Sequence, residues 1–176
     1  PRLKVLLDGP NGQLYRAKIE AVYGKDCFPI DSVAKVDKLM RLQENEQFDR
    51  YLEILLLPKL ILLSRQAHAD AAYSMAKELY TKYNVGAIRL KFTLSRATTA
   101  SKEEIPGADS LSSEEVVLGL HDGFAKFKSE HPDFEFILSP CFRKEAAFYD
   151  AKNFKTKKEH FDFQVKSLLD LLEKNP

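Results

Sequence analysis

The chain has 176 residues, 44% of them apolar, which suits one domain with a buried core of ordinary size. Lys and Arg total 27 against 26 for Asp and Glu, and the formal charge of +1 leaves no long-range field to attract nucleic acid or acidic lipid. Two cysteines, Cys27 and Cys141, are too few for a disulfide framework and are spaced unlike a zinc-binding pair, which points to a reducing, cytoplasmic setting while leaving one bridge between them open. The apolar run Ile54 to Leu57 resumes after Pro58 and Lys59 as Leu60 to Leu63, far short of a membrane span. No secretion signal opens the chain, and Pro in first place implies processing or excision from something longer.

The run Leu3 to Leu7 is short and apolar and is stopped by Asp8-Gly9-Pro10-Asn11-Gly12, a cluster of turn-forming residues, so it reads as a buried strand. A brief helix follows over Leu14 to Val22 and ends before Gly24. Between Asp31 and Tyr83 the pattern is helical almost throughout. A cap at Asp31 or Ser32 introduces a face of Val33, Val36, Leu39 and Met40, and a second piece through Phe48, Leu52 and Leu55 is interrupted at Pro58. A long helix then carries an apolar stripe of Leu60, Leu63, Ala67, Ala71, Met75, Leu79 and Tyr83, closed by Asn84 or Gly86.

From Gly86 to Leu94 the period changes to two: Ile88, Leu90, Phe92 and Leu94 alternate with Arg89, Lys91 and Thr93, the clearest strand signature in the chain. The polar tract from Thr98 to Ser110 reads as a mobile loop. Ser112 with Glu115 offers a capping box for a helix bearing Val116, Val117, Leu120, Phe124 and Phe127, and His131-Pro132-Asp133 stops it before a third strand, Phe134 to Leu138. The lysine-rich run from Lys152 to Lys158 reads as a solvated loop leading to a terminal helix with Phe161, Val165, Leu168, Leu169 and Leu172 on one face. Strands separated by helices normally lie parallel, and three of them expose costly edges unless something covers them.

Four motifs in order then carry a family resemblance. Pro1 to Gly9, ending Leu7-Asp8-Gly9, resembles the first barrel strand of the adenosine deaminases, whose pattern is roughly Pro-Lys-x-Glu-Leu-His-x-His-Leu-Asp-Gly. Met75-Ala76-Lys77-Glu78 leading into Tyr83 to Thr93, the helix start Leu111 to Val117, and Phe136 to Arg143 are similar to the parts that follow in that family. The resemblance implies an α/β fold: the first three strand-and-helix units of a (β/α)8 TIM-type barrel, as a single partial domain over 1–176, with a helical insertion at about 31–83.

The departures from the family bear on chemistry. Its His-x-His pair binds a catalytic zinc from one side of a strand, and Lys4 and Leu6 stand in those places. An ammonium repels a dication and an isobutyl group offers no lone pair, so no metal ligand and no catalytic residue is assigned. Asp8 and Gly9, near the nucleoside sugar in the family, are the substrate-binding positions that the resemblance carries over. Lys4, Arg89 and Lys91 bring three cations towards the expected interior, where a solvated lining is favoured over an anion site. His68, His121, His131 and His160 form no metal-binding spacing, and Cys141 is expected to be a small buried residue. The expectation is a catalytically inactive deaminase-like subunit without cofactor, completed by another chain or by a missing C-terminal segment, with neither nucleic acid nor membrane as partner. The alternative is the amino-terminal portion of an active, zinc-dependent purine nucleoside deaminase.

Overall fold

The computed structural model describes residues 2–93, 111–141 and 153–175. The loop expected over 98–110 and the strand exit at Phe142 and Arg143 lie outside them. Among the described residues the chain divides into two compact units, one reaching to Leu63 and the other beginning at Ser64.

The first unit is helical. Its opening helix α1 (Arg2–Asp8) replaces the expected strand. Leu3, Leu6 and Leu7 recur at i, i+3 and i+4 and pack on a core of Tyr15, Ile19, Cys27, Leu57 and Leu60, while Val5, which a buried strand would have covered, is 73% exposed. Leu and Lys favour helix, and the period of this run is 3.6 rather than 2. Asp8 to Gly12 turns the chain as expected, with the Gly12 amide on the Gly9 carbonyl at 2.9 Å. Next, α2 (Gly12–Tyr23) buries Tyr15 and Ile19 and stops at Gly24, whose φ of 85° is one that L side chains rarely adopt. A 3-10 turn, Lys25–Cys27, buries the Cys27 thiol.

Ser32 caps α3 (Val33–Leu39) by accepting from the Lys35 amide, as expected. Val33 nevertheless is 86% exposed, and only the Leu39 and Met40 end of the expected face reaches the core. The segment that follows breaks at Leu55 into α4 (Phe48–Ile54) and α5 (Leu56–Ile61). Pro58 sits inside α5, and its effect is felt four residues earlier, because it has no N–H for the Ile54 carbonyl. The Tyr23 hydroxyl repairs that gap: it donates to the Ile54 carbonyl at 2.5 Å and accepts from the Leu57 amide at 3.1 Å. Burial raises the Tyr23 pKa, so the phenol stays protonated as the donor this bridge needs.

In the second unit α6 (Arg65–Tyr83) begins afresh at Ser64, whose hydroxyl accepts from the Ala67 amide at 3.1 Å; the long helix expected from Leu60 to Tyr83 is therefore interrupted before Arg65. Its buried residues are Ala67, His68, Ala72 and Ala76, while Met75 and Tyr83 of the expected stripe are exposed. Asn84 closes it in the left-handed conformation. Then come β1 (Ala87–Thr93), α7 (Ser113–Glu130), β2 (Glu135–Cys141) and α8 (Lys157–Lys174). The capping box of Ser112 and Glu115 forms, and Thr156 with Glu159 makes a second one that opens α8.

The strands β1 and β2 pair in parallel as a two-stranded sheet, Ala87 opposite Glu135 through Thr93 opposite Cys141. The expected start of a (β/α)8 barrel with three strand-and-helix units is therefore corrected. Among the described residues the molecule is mostly helical with one small sheet, because the run expected as the first strand has helical periodicity and folds onto its own helical core.

Candidate functional site: the open face of the parallel sheet

What positions this site is the closeness of α6 and α7. Gly119 and Gly123 present bare backbone to α6: a Cβ at Gly119 would stand 2.5 Å from the Arg65 carbonyl oxygen, and one at Gly123 2.1 Å from that of Ala69. Along this seam Ala72 and Ala76 meet Val116, Leu120, Phe124 and Phe127. Ile88, Leu90 and Phe92 of β1 and Phe136 and Leu138 of β2 pack onto the same core, so one face of the sheet is covered. Phe124 stacks on Phe136 with ring centroids 5.3 Å apart, and Phe127 meets Phe134 edge-on at 5.0 Å.

Alternation sends the remaining side chains the other way. Arg89 and Lys91 are exposed on β1, and Ile137, in register with Arg89, is 53% exposed on β2 beside half-buried Ser139. Among the described residues neither Arg89 nor Lys91 has an ion-pair partner, whereas Glu135 is held by Lys128 at 2.6 Å. Among the described residues, then, an apolar side chain flanked by two cations without an ion-pair partner marks the exposed face. At its carboxyl end Cys141 is an exposed free thiol, not the buried residue expected, with its sulfur 3.6 Å from the Ser139 carbonyl oxygen.

The remaining predicted positions fall elsewhere. Asp8 is the exposed last residue of α1 and Gly9 lies half-buried in the turn after it. Lys4 lies exposed on α1 of the first unit, and Arg89 and Lys91 lie exposed on β1 of the second; exposed, the two strand cations stay hydrated, which costs far less than burying them unpaired. Lys4 and Leu6 are two residues apart on a helix, about 200° round its axis, so they point apart where a strand would align them. Cys27 is a buried free thiol whose pKa burial pushes up. Of the histidines, His131 packs on Phe127 at 4.4 Å, His121 lies edge-on to Phe136 at 5.7 Å and His160 stacks on Phe154 at 4.7 Å. His68 is buried in α6. Among the described residues no three His, Cys, Asp or Glu side chains gather closely enough to hold a metal ion, and no helix is long and apolar enough to cross a membrane.

A groove of about 690 Å³ runs outside the seam, between Arg65, Asp70, Tyr73, Asp122 and Lys126. Its polar groups largely answer one another. Arg65 holds Asp122 through two nitrogens at 2.7 Å, Gln66 donates to Asp70 at 2.7 Å, the Tyr73 hydroxyl donates to Glu130 at 2.6 Å, and Lys126 lies 4.9 Å over the Tyr73 ring. Sequence reading missed this seam and its groove, although Gly119-x-x-x-Gly123 facing the alanines of α6 was a signal for close helix contact. Compared with known protein families, with curated proteins and with solved structures, the chain matches none.

Proposed function

We propose that this chain is a non-catalytic interaction subunit, related in sequence to the adenosine deaminases, whose open sheet face is covered by a partner protein. The observation that carries the reading is the parallel pair β1 and β2, packed by helices on one face and bearing exposed Ile137, Arg89 and Lys91 on the other. Parallel sheets are normally buried on both faces, so an uncovered one is an incomplete structural layer. The two cations favour an occupant that pairs an apolar contact for Ile137 with carboxylates, held by charge-assisted bonds. Deaminase chemistry by this chain is disfavoured because Lys4 and Leu6 offer no imidazole and diverge on α1.

Sedimentation velocity of the isolated chain, with an assay of inosine production from adenosine in added zinc, tests the reading. The wild type is expected to self-associate reversibly at micromolar concentration, the open face of one copy against an acidic surface of another, Ile137→Asp to sediment as a monomer, and neither to turn over adenosine. A wild-type chain that stays monomeric contradicts the interaction reading, and zinc-dependent turnover by the purified chain replaces it with the deaminase alternative.

A further inference from the structure

His68 lies against the α6–α7 seam: a Cβ on Gly119 would come within 2.9 Å of its own Cβ. The side chain belongs to a residue only 2% exposed. Its Nδ1 is 3.1 Å from the Ser64 carbonyl oxygen, and its Nε2 is buried with no hydrogen-bond partner among the described residues. A carbonyl oxygen only accepts, so Nδ1 carries the proton and Nε2 is left as a bare lone pair. The geometry thereby fixes one neutral tautomer in a place where water does not reach.

We propose that His68 makes the α6–α7 seam an acid-sensitive latch, closed while the imidazole is neutral and loosened when Nε2 takes up a proton. A second N–H would be a buried donor without an acceptor on a buried cation, both of them costly states. Among the described residues the charges of α6 and α7 do not relieve it. On α6, Arg65 is a cation and Asp70 is engaged by Gln66; on α7, Glu115 is taken up by the Ser112 cap, Asp122 by Arg65, and Lys126 is a cation over Tyr73, while His121 lies against Phe136. Nor does the seam have room to rearrange locally, since Gly119 and Gly123 already bring the two backbones together. Relief therefore comes by separating the helices enough to admit water.

Burial depresses the His68 pKa, and the Ser64 hydrogen bond offsets only part of that. The sign of the pH effect follows. Above about pH 6.5 both folded and unfolded chains hold a neutral ring, and His68 adds no pH dependence. Below that the unfolded chain binds the proton first, so the unfolding constant rises by up to about tenfold per pH unit until the folded pKa is passed.

Urea unfolding of the wild type and of His68→Gln at about pH 7.5 and about pH 5.5, with nitrogen NMR of the imidazole rings and amide exchange in the wild type, tests the latch. Between the two pH values the wild-type unfolding constant is expected to rise up to about tenfold more than that of the variant, in which the other three histidines respond unchanged. The His68 ring should show the Nδ1–H tautomer and titrate below about pH 6.5, with protection in α6 and α7 falling as it does. Equal pH responses in the two proteins overturn the proposal. If His68→Gln does not fold, the wild-type ring decides: titration at or above the ordinary histidine value overturns the latch, and titration below it, with loss of protection along the seam, supports it.

Discussion

Two short runs, Leu3 to Leu7 in the first unit and Ile88 to Phe92 in the second, both mix apolar side chains with bases, yet one is helix and the other strand. In Ile88 to Phe92 the apolar residues alternate strictly, so a strand buries Ile88, Leu90 and Phe92 on one face and leaves Arg89 and Lys91 in water. A strand through Leu3 to Leu7 would split Leu3, Val5 and Leu7 from Leu6. A helix instead gathers Leu3, Leu6 and Leu7 on one side and leaves only Val5 outside. Where the apolar atoms fall, rather than how many there are, decides which element lets the run reach a core.

The largest expected effect separates the two cores. Phe124→Ala removes a fully buried ring that stacks on Phe136 of β2 and on Phe134 just before it, and is expected to destabilise the second unit by about 3–5 kcal/mol, read as a shift of the denaturation midpoint. Exchange protection in β1, β2 and α7 should fall most; a loss confined to the first unit would break the comparison. In the first unit, Tyr23→Phe keeps the ring but strips the hydroxyl that bridges the Ile54 carbonyl and the Leu57 amide. The expected cost is about 1–3 kcal/mol, with faster exchange at Leu57. A neutral result would mean that water fills the gap left by Pro58 as well as the phenol does. Smallest is Ser112→Ala, which removes the cap of α7 for about 1 kcal/mol and should fray that helix at its start without disturbing β1.

The second unit was the more legible in sequence because its signals are local and agree with one another. The capping box at Ser112, the alternation about Arg89 and the closing Asn84 each point to the element that forms. The helical character of residues 33–83 was also readable, but its breaks were not. Ser64 caps a new helix where apolar periodicity continued, and Pro58 acts at Leu55 rather than at its own position. The buried face of α6 was legible only in part: Ala67 of the expected stripe is buried, while Met75 and Tyr83 are exposed. The glycines of α7 allow contact so close that the alanines and His68, rather than Met75 and Tyr83, lie inside. The short apolar run Leu3 to Leu7, stopped by the turn cluster Asp8 to Gly12, invited a strand, and the Tyr23 bridge to a break 31 residues away has no local sequence signal. The candidate site was half visible: alternation marked Arg89 and Lys91 as one face, but only the register with β2 puts Ile137 beside them.

That face can be tested by thiol labelling of Ile137→Cys and Leu138→Cys, each made in a background with Cys27 and Cys141 replaced and studied in dilute, monomeric protein. An open face requires the thiol at 137 to react at close to the rate of an unfolded chain and the thiol at 138 to react at least about tenfold more slowly. Protection at 137 equal to that at 138 would mean that the sheet is already covered on both sides, and the case for a partner there would be lost.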